Sequence, residues 1–139
     1  MTDGQPGQPA PKPAPKYLLD VNMLLAGIWK THAQHGIAAG WLQGKVLVTC
    51  PLSELGFIRI STNAKAINAS MKDARKALET FQKQRKTEFI PDDLPALKSK
   101  PTTSGQVTDH YLANLAGEHG LKLATMDTGL KHLDVELVT

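Results

Sequence analysis

This chain has one cysteine, no long hydrophobic run, and none of the short motifs that mark nucleophilic hydrolases or nucleotide cradles. Cys50 alone cannot close an internal disulfide, which suits a reducing compartment such as a cytoplasm. Its apolar setting between Thr49 and Pro51 reads as a small buried side chain, not a reactive thiol. The apolar runs fall well below the roughly 20 residues that a membrane-spanning helix needs, so no membrane association is expected. The N-terminus lacks the apolar core of a signal peptide, and the expectation is a cytoplasmic protein. A G-x-S-x-G elbow, a P-loop and a G-x-G-x-x-G turn are all missing, which leaves nucleophilic catalysis with little support. The histidines, His32, His35, His110, His119 and His132, contain no H-x-x-x-H pair, and no Cys or His stands at zinc spacing. No internal repeat is present.

What is present suffices for one domain: 139 residues can bury a real hydrophobic core. Residues 1–16 are almost entirely proline, glycine and small or polar side chains, which predicts a disordered, proline-rich arm ahead of a folded domain at residues 17–139. Tyr17 to Asp20 reads as a strand buried on both faces, after which Asn22 is expected to cap a short helix through Leu25. Ala33, Ile37 and Trp41 recur on one helical face that ends at Gly44. Val46 to Thr49 is a second strand, and Pro51 opens a helix through Glu54 and Ile58. Ser70 and Asp73 have capping-box spacing ahead of a helix with Met71, Ala74, Leu78 and Phe81 inward and Lys72, Arg75, Lys76 and Lys83 outward. Glu88 to Ile90 is a short strand, and a turn-rich stretch, with Asp92 and Asp93 in turn and cap roles, leads to a helix from Val107 to about Gly120. Leu121 to Thr125 and Val135 to Val138 complete the strands. Strands alternating with helices predict an α/β fold with a largely parallel sheet.

Four carboxylates stand out against this pattern. Asp20, Glu54, Asp109 and Asp127 each lie where a strand ends or a helix begins, and in an open parallel sheet the loops after the strands share one edge. Singly, each acid has a structural explanation as an Asx turn, a cap or a partner for a helix dipole. Together they would repel one another unless a cation lay between them. Oxygen-only ligation points to magnesium or manganese. With four of the 13 acidic side chains engaged in this way, 16 basic ones face the remaining nine, a surface that attracts an anionic polymer. His110, beside Asp109, is a weaker candidate for reaching a substrate.

The blocks L-L-D-V-N-M-L-L-A, P-L-S-E-L-G-F-I-R-I, F-I-P-D-D-L, V-T-D-H-Y-L-A-N-L-A and H-G-L-K-L-A-T-M-D-T-G-L resemble, in order and spacing, the signature blocks of PIN-domain proteins, specifically VapC-type toxins of toxin-antitoxin systems. The resemblance spans roughly Tyr17 to Val138 and implies a three-layer α/β/α sandwich. It further implies a magnesium-dependent endoribonuclease (manganese being the alternative ion), an RNA substrate, a cognate antitoxin and a homodimer. By this resemblance Asp20 and Asp127 are the central metal ligands, Asp109 and Glu54 complete the site or position the attacking water, and Asn22 and Thr125 orient the carboxylates. The helices around Trp29, Trp41 and Tyr111 carry apolar surface expected to serve the homodimer and the antitoxin. A PIN-fold module that has lost catalysis and a DNA nuclease are the alternatives. A receiver-like or phosphatase-like domain is disfavoured, because Lys122 is the only lysine near a later strand.

Overall fold

The computed structural model describes residues 14–139, so the part of the proline-rich arm at residues 1–13 lies outside it. Five parallel strands form one sheet: β1 (Lys16–Leu19), β2 (Val46–Thr49), β3 (Glu88–Phe89), β4 (Lys122–Thr125) and β5 (Val135–Leu137). Their spatial order is β3-β2-β1-β4-β5. The helices are α1 (Val21–Ile28), α2 (His35–Leu42), α3 (Pro51–Thr62), α4 (Met71–Arg85) and α5 (Val107–Glu118). Parallel neighbours need crossovers, and the helices supply them.

The strands are apolar on both faces because both faces are covered. Leu19, Leu47 and Ala124 point into one core with α1 to α4, while Leu18, Val48 and Leu123 point into a second core with α5. Leu18, Leu19 and Leu123 are 0% exposed, each worth about 2 kcal/mol in burial. The result is the expected α/β/α sandwich, four helices on one face and one on the other. The outer strands are short, with Phe89 and Leu137 partly exposed, and Lys16 closes the β3 side with an ion pair to Glu88 at 2.8 Å.

The sequence places three details differently from the structure. The helix expected from Ala33 starts at His35, and its buried face is Ala38 and Leu42, leaving Ile37 48% exposed. Asp20, not Asn22, is the N-cap of α1: Asn22 lies inside the helix, exposed. Met71 opens α4 but is 54% exposed, because the first turn projects past the core that Ala74, Leu78 and Phe81 reach. Several expectations match closely, including β2, the Pro51 helix start and the Ser70 cap, whose hydroxyl accepts from the Asp73 N–H at 3.0 Å. Gly44, after α2, has a φ of 71°, the left-handed region where glycine carries no steric penalty. Cys50 is buried, and burial above all pushes its thiol up to about 11.

The tryptophans complete the core and do not serve as spare surface. Trp29 stacks on Phe57 with centroids 5.9 Å apart and donates to Ser61 Oγ at 2.8 Å. Trp41 meets Tyr17 edge to face at 4.9 Å, with Lys45 over its ring. Exposed large apolar side chains do lie on two of the helices expected to carry such surface, Ile37 on α2 and Val107 on α5, and others at Leu55, Leu97 and Leu133. No helix among the described residues is long and apolar enough to cross a membrane.

Candidate active site

From β1 the chain builds outward to β2 and β3, then returns to place β4 and β5 on the other side of β1. The strand order therefore reverses between β1 and β4, and a crevice opens outside their carboxyl ends. Asp20 and Thr125 flank that crevice. Leu19 pairs with Ala124, and the Asp20 N–H continues the ladder to the Ala124 carbonyl at 3.2 Å, which carries the Asp20 side chain alongside Thr125.

Asp20 is completely buried. Its Oδ1 accepts from the Met23 N–H at 2.7 Å, the cap bond of α1. Its Oδ2 has no hydrogen-bond partner. A carboxylate half satisfied by a cap and half unsatisfied in the interior is costly to ionise. Its pKa accordingly rises from 3.8 to about 7, mainly through burial, with Asp109 and Asp127 adding repulsion while the nearby Thr125 hydroxyl and the Met23 N–H pull downward.

Asp127 lies two residues past β4 in the turn T-M-D-T-G-L. Its N–H donates to Thr125 Oγ1 at 3.1 Å, and its Oδ1 accepts from the Gly129 N–H at 2.8 Å. Asp109 sits in the first turn of α5, and burial first, then Asp127, raises its pKa. The Gln106 side chain ties the start of α5 to this turn by donating to the Gly129 carbonyl at 3.0 Å. Asp20, Asp109 and Asp127 are thus coupled electrostatically.

Glu54 is held by its own pair of partners. Its Oε2 accepts from the Thr49 hydroxyl at 2.8 Å and from Gln82 Nε2 at 2.7 Å. A helix turns about 100° per residue, so Glu54 and Ile58 share the α3 face toward α4, whereas Leu52, Leu55, Gly56 and Arg59 share the face toward Asp109. That second face forms a 270 Å³ groove with Val21, Asn22, Thr108 and Asp109. Asn22 therefore lines the approach to Asp109, while Thr125 touches the acids directly.

Gln106, Gln82 and Arg59 were not singled out by sequence reasoning. The two glutamines have no sequence signal, because their partners, Gly129, Glu54 and Thr49, are distant in the chain. Arg59 had one, as an isolated cation within the apolar block F-I-R-I. His110 is committed to a polar network: its Nδ1 is 3.0 Å from Ser99 Oγ, and its ring meets His132 edge to face. Asp93 contacts His119 Nε2 at 2.8 Å.

The donor set fits a hard divalent cation. Among the described residues no three His, Cys, Asp or Glu side chains form a ready-made cage, and magnesium does not need one, since it keeps several waters and takes one or two carboxylates. The unpartnered Asp20 Oδ2, on a carboxyl that Asp109 and Asp127 also repel, is an oxygen whose burial a cation would offset.

A parallel α/β/α sheet with crowded acids at its switch point belongs to the class of domains that gather ligands at the carboxyl edge of the strands. The PIN domain family model matches residues 17–136, and the chain belongs to the PIN-domain family. It is 36% identical to ribonuclease VapC38 of Mycobacterium tuberculosis over 121 residues, covering 81% of this chain and 86% of that protein. With ribonuclease VapC29 of the same species the identity is 35% over 121 residues, covering 84% and 89%. The fold is similar to the solved structure of VapBC2 from Rickettsia felis bound to a DNA fragment from their promoter, at TM-score 0.56 and 13% identity, covering 82% of this chain and 89% of that one. FitAcB from Neisseria gonorrhoeae gives TM-score 0.55 at 19% identity, covering 81% and 88%.

Proposed function

We propose that this protein is a VapC-type toxin, a magnesium-dependent endoribonuclease that cleaves RNA phosphodiesters by metal-assisted hydrolysis and is neutralised by a cognate antitoxin. The observation that carries the proposal is the buried Asp20 carboxylate at the sheet's switch point, with one oxygen unpartnered and within electrostatic reach of Asp109 and Asp127. The names of the M. tuberculosis relatives support ribonuclease activity, and the VapBC2 likeness fits an antitoxin partner.

In this reading Asp20, Asp127 and Asp109 hold the ion, directly or through water. When bound, a magnesium or manganese ion would polarise the scissile phosphate and lower the pKa of water. The Met23 N–H fixes Asp20 Oδ1, so that Oδ2 is the oxygen presented to the ion. Thr125 holds the Asp127 backbone, and Gly129 holds the Asp127 carboxylate, which sets the spacing of the two acids before substrate arrives. Glu54, oriented by Thr49 and Gln82, is placed to act on water or substrate from the α4 side. Arg59 and Asn22, lining the groove that reaches Asp109, are placed to meet the substrate backbone. A homodimer would cover part of the exposed apolar set at Leu55, Leu97, Val107 and Leu133, and the compartment fitting such a protein is the cytoplasm. Incubating RNA with the purified chain tests the proposal: fragments should form with magnesium, stop with a chelator and resume on adding excess metal. Intact RNA under all three conditions would count against it.

A further inference from the structure

Outside the acidic crevice, the largest accumulation of unpaired charge is on α4. Residues 71–86 contain Lys72, Arg75, Lys76, Lys83, Arg85 and Lys86 against only Asp73 and Glu79. Lys72, Arg75, Lys76, Lys83 and Lys86 are exposed. The one ion pair in this set among the described residues is Lys83 with Glu79, at 3.9 Å and with both side chains largely in solvent. Like charges three and four residues apart, as at Lys72, Arg75 and Lys76, weaken a helix. Asp73 and Glu79 offset part of this repulsion, and the face keeps a net positive charge.

The charge is not spread over a flat surface. Lys72, Arg75, Lys76 and Glu79 form one wall of a 490 Å³ groove whose remaining lining is Ile58, Leu78 and Gln82. At 1.5 Å rise per residue, the ten steps from Lys72 to Gln82 make this groove about 15 Å long. Its inner end is chemically joined to the candidate active site, because the Gln82 amide donates to Glu54 and to Thr49, at 2.7 and 3.3 Å. Thr49 ends β2, which pairs with β1 and so lies one strand from Asp20, a separation of about 4.8 Å between strands.

We infer that the α3–α4 groove, walled by Lys72, Arg75 and Lys76, is a track for the phosphate backbone of single-stranded RNA, leading a substrate strand to Glu54 and the acidic crevice. The inference rests on the ribonuclease reading for its substrate. The occupant follows from charge and shape: long, mobile cations along an elongated groove neutralise a chain of phosphates without reading bases. The track would act on affinity and on substrate length, not on the chemical step.

The test uses the triple variant Lys72→Gln, Arg75→Gln, Lys76→Gln, in which each replacement keeps good helix propensity at an exposed position. Binding of a 20-nucleotide single-stranded RNA to wild-type and variant is followed by fluorescence anisotropy between 50 and 300 mM salt, with chelator present to prevent cleavage. Three lost phosphate contacts should make the slope of log K against log salt shallower by about 2 and weaken binding at 100 mM salt by roughly tenfold to a hundredfold. With magnesium, cleavage of a short oligonucleotide that ends before the groove should stay within about twofold of wild-type, while that of the long RNA falls. An unchanged salt slope overturns the track, whether or not the variant has lost binding to an acidic protein partner. The two proposals separate cleanly. A reduced slope in a protein that cleaves nothing keeps the track and removes the nuclease, and active protein with an unchanged slope does the reverse.

Discussion

Replacing Asp20 with asparagine should make the metal-free protein more stable at neutral and alkaline pH. Asparagine retains the shape and the cap, since its Oδ1 can accept from the Met23 N–H as Asp20 does at 2.7 Å. Its neutral amide would take the place of the unpartnered Oδ2, removing the buried charge. The folded carboxyl has a pKa of about 7 against an ordinary 3.8, so folding favours the protonated acid. That stabilising contribution is fully present below about pH 4 and is lost as pH rises through about 7. At 1.36 kcal/mol per decade the whole loss is about 4 kcal/mol, of which roughly 2 to 3 kcal/mol falls between pH 5 and 8. For a domain of this length that is a fall of roughly 10 °C in Tm, present in wild-type and missing from Asp20→Asn. Thermal melts of both proteins in chelator at pH 5 and pH 8 provide the measurement. Parallel pH dependence in the two would refute a buried, crowded carboxylate, and a variant less stable at pH 8 would show that Oδ2 has a structural partner.

Magnesium should raise the Tm of wild-type more at pH 8 than at pH 5, by about 3 kcal/mol of stability at a hundredfold excess over Kd, and should do little for Asp20→Asn; calorimetric titration checks the binding itself. Gly56→Ala should destabilise by about 1 to 3 kcal/mol, because the new Cβ would lie 2.5 Å from Val21 Cγ2 and push on α1 directly beneath Asp20, so chemical denaturation and activity should fall together. Light scattering at micromolar concentrations should give twice the 15.1 kDa chain mass, and a strictly monomeric mass would remove the homodimer.

Much of this architecture is written locally. Continuous apolar runs such as Y-L-L and V-L-V-T mark strands covered on both faces, and β1, β2 and β4 fall where those runs are, β1 opening one residue early at Lys16. The placing of Asp20, Asp109 and Asp127 at one edge follows from their positions at strand ends and a helix start, together with the logic of parallel sheets. The rotation of helices about their own axes was not legible. Glu54 is placed at the edge by its position after a strand, but its partners, Gln82 and Thr49, depend on the α3 register and were not readable. The Asn22 cap failed for a related reason: Asp20 is the one residue between β1 and α1, so the N-cap belonged to the residue already singled out for chemistry. Gln82 and Gln106 act across 28 and 23 residues of chain, a separation at which single-sequence patterns carry no contact information.

The central claim is that the charge on Asp20 is required to hold the ion that hydrolyses RNA. The most direct measurement is cleavage of one sensitive RNA by wild-type and by Asp20→Asn, both shown to be folded, at matched concentration with magnesium. Wild-type should cleave, and the asparagine variant, identical in shape but uncharged, should lose cleavage by at least a hundredfold, the scale on which removing a single charge-stabilising group acts. Full activity in Asp20→Asn would contradict the account.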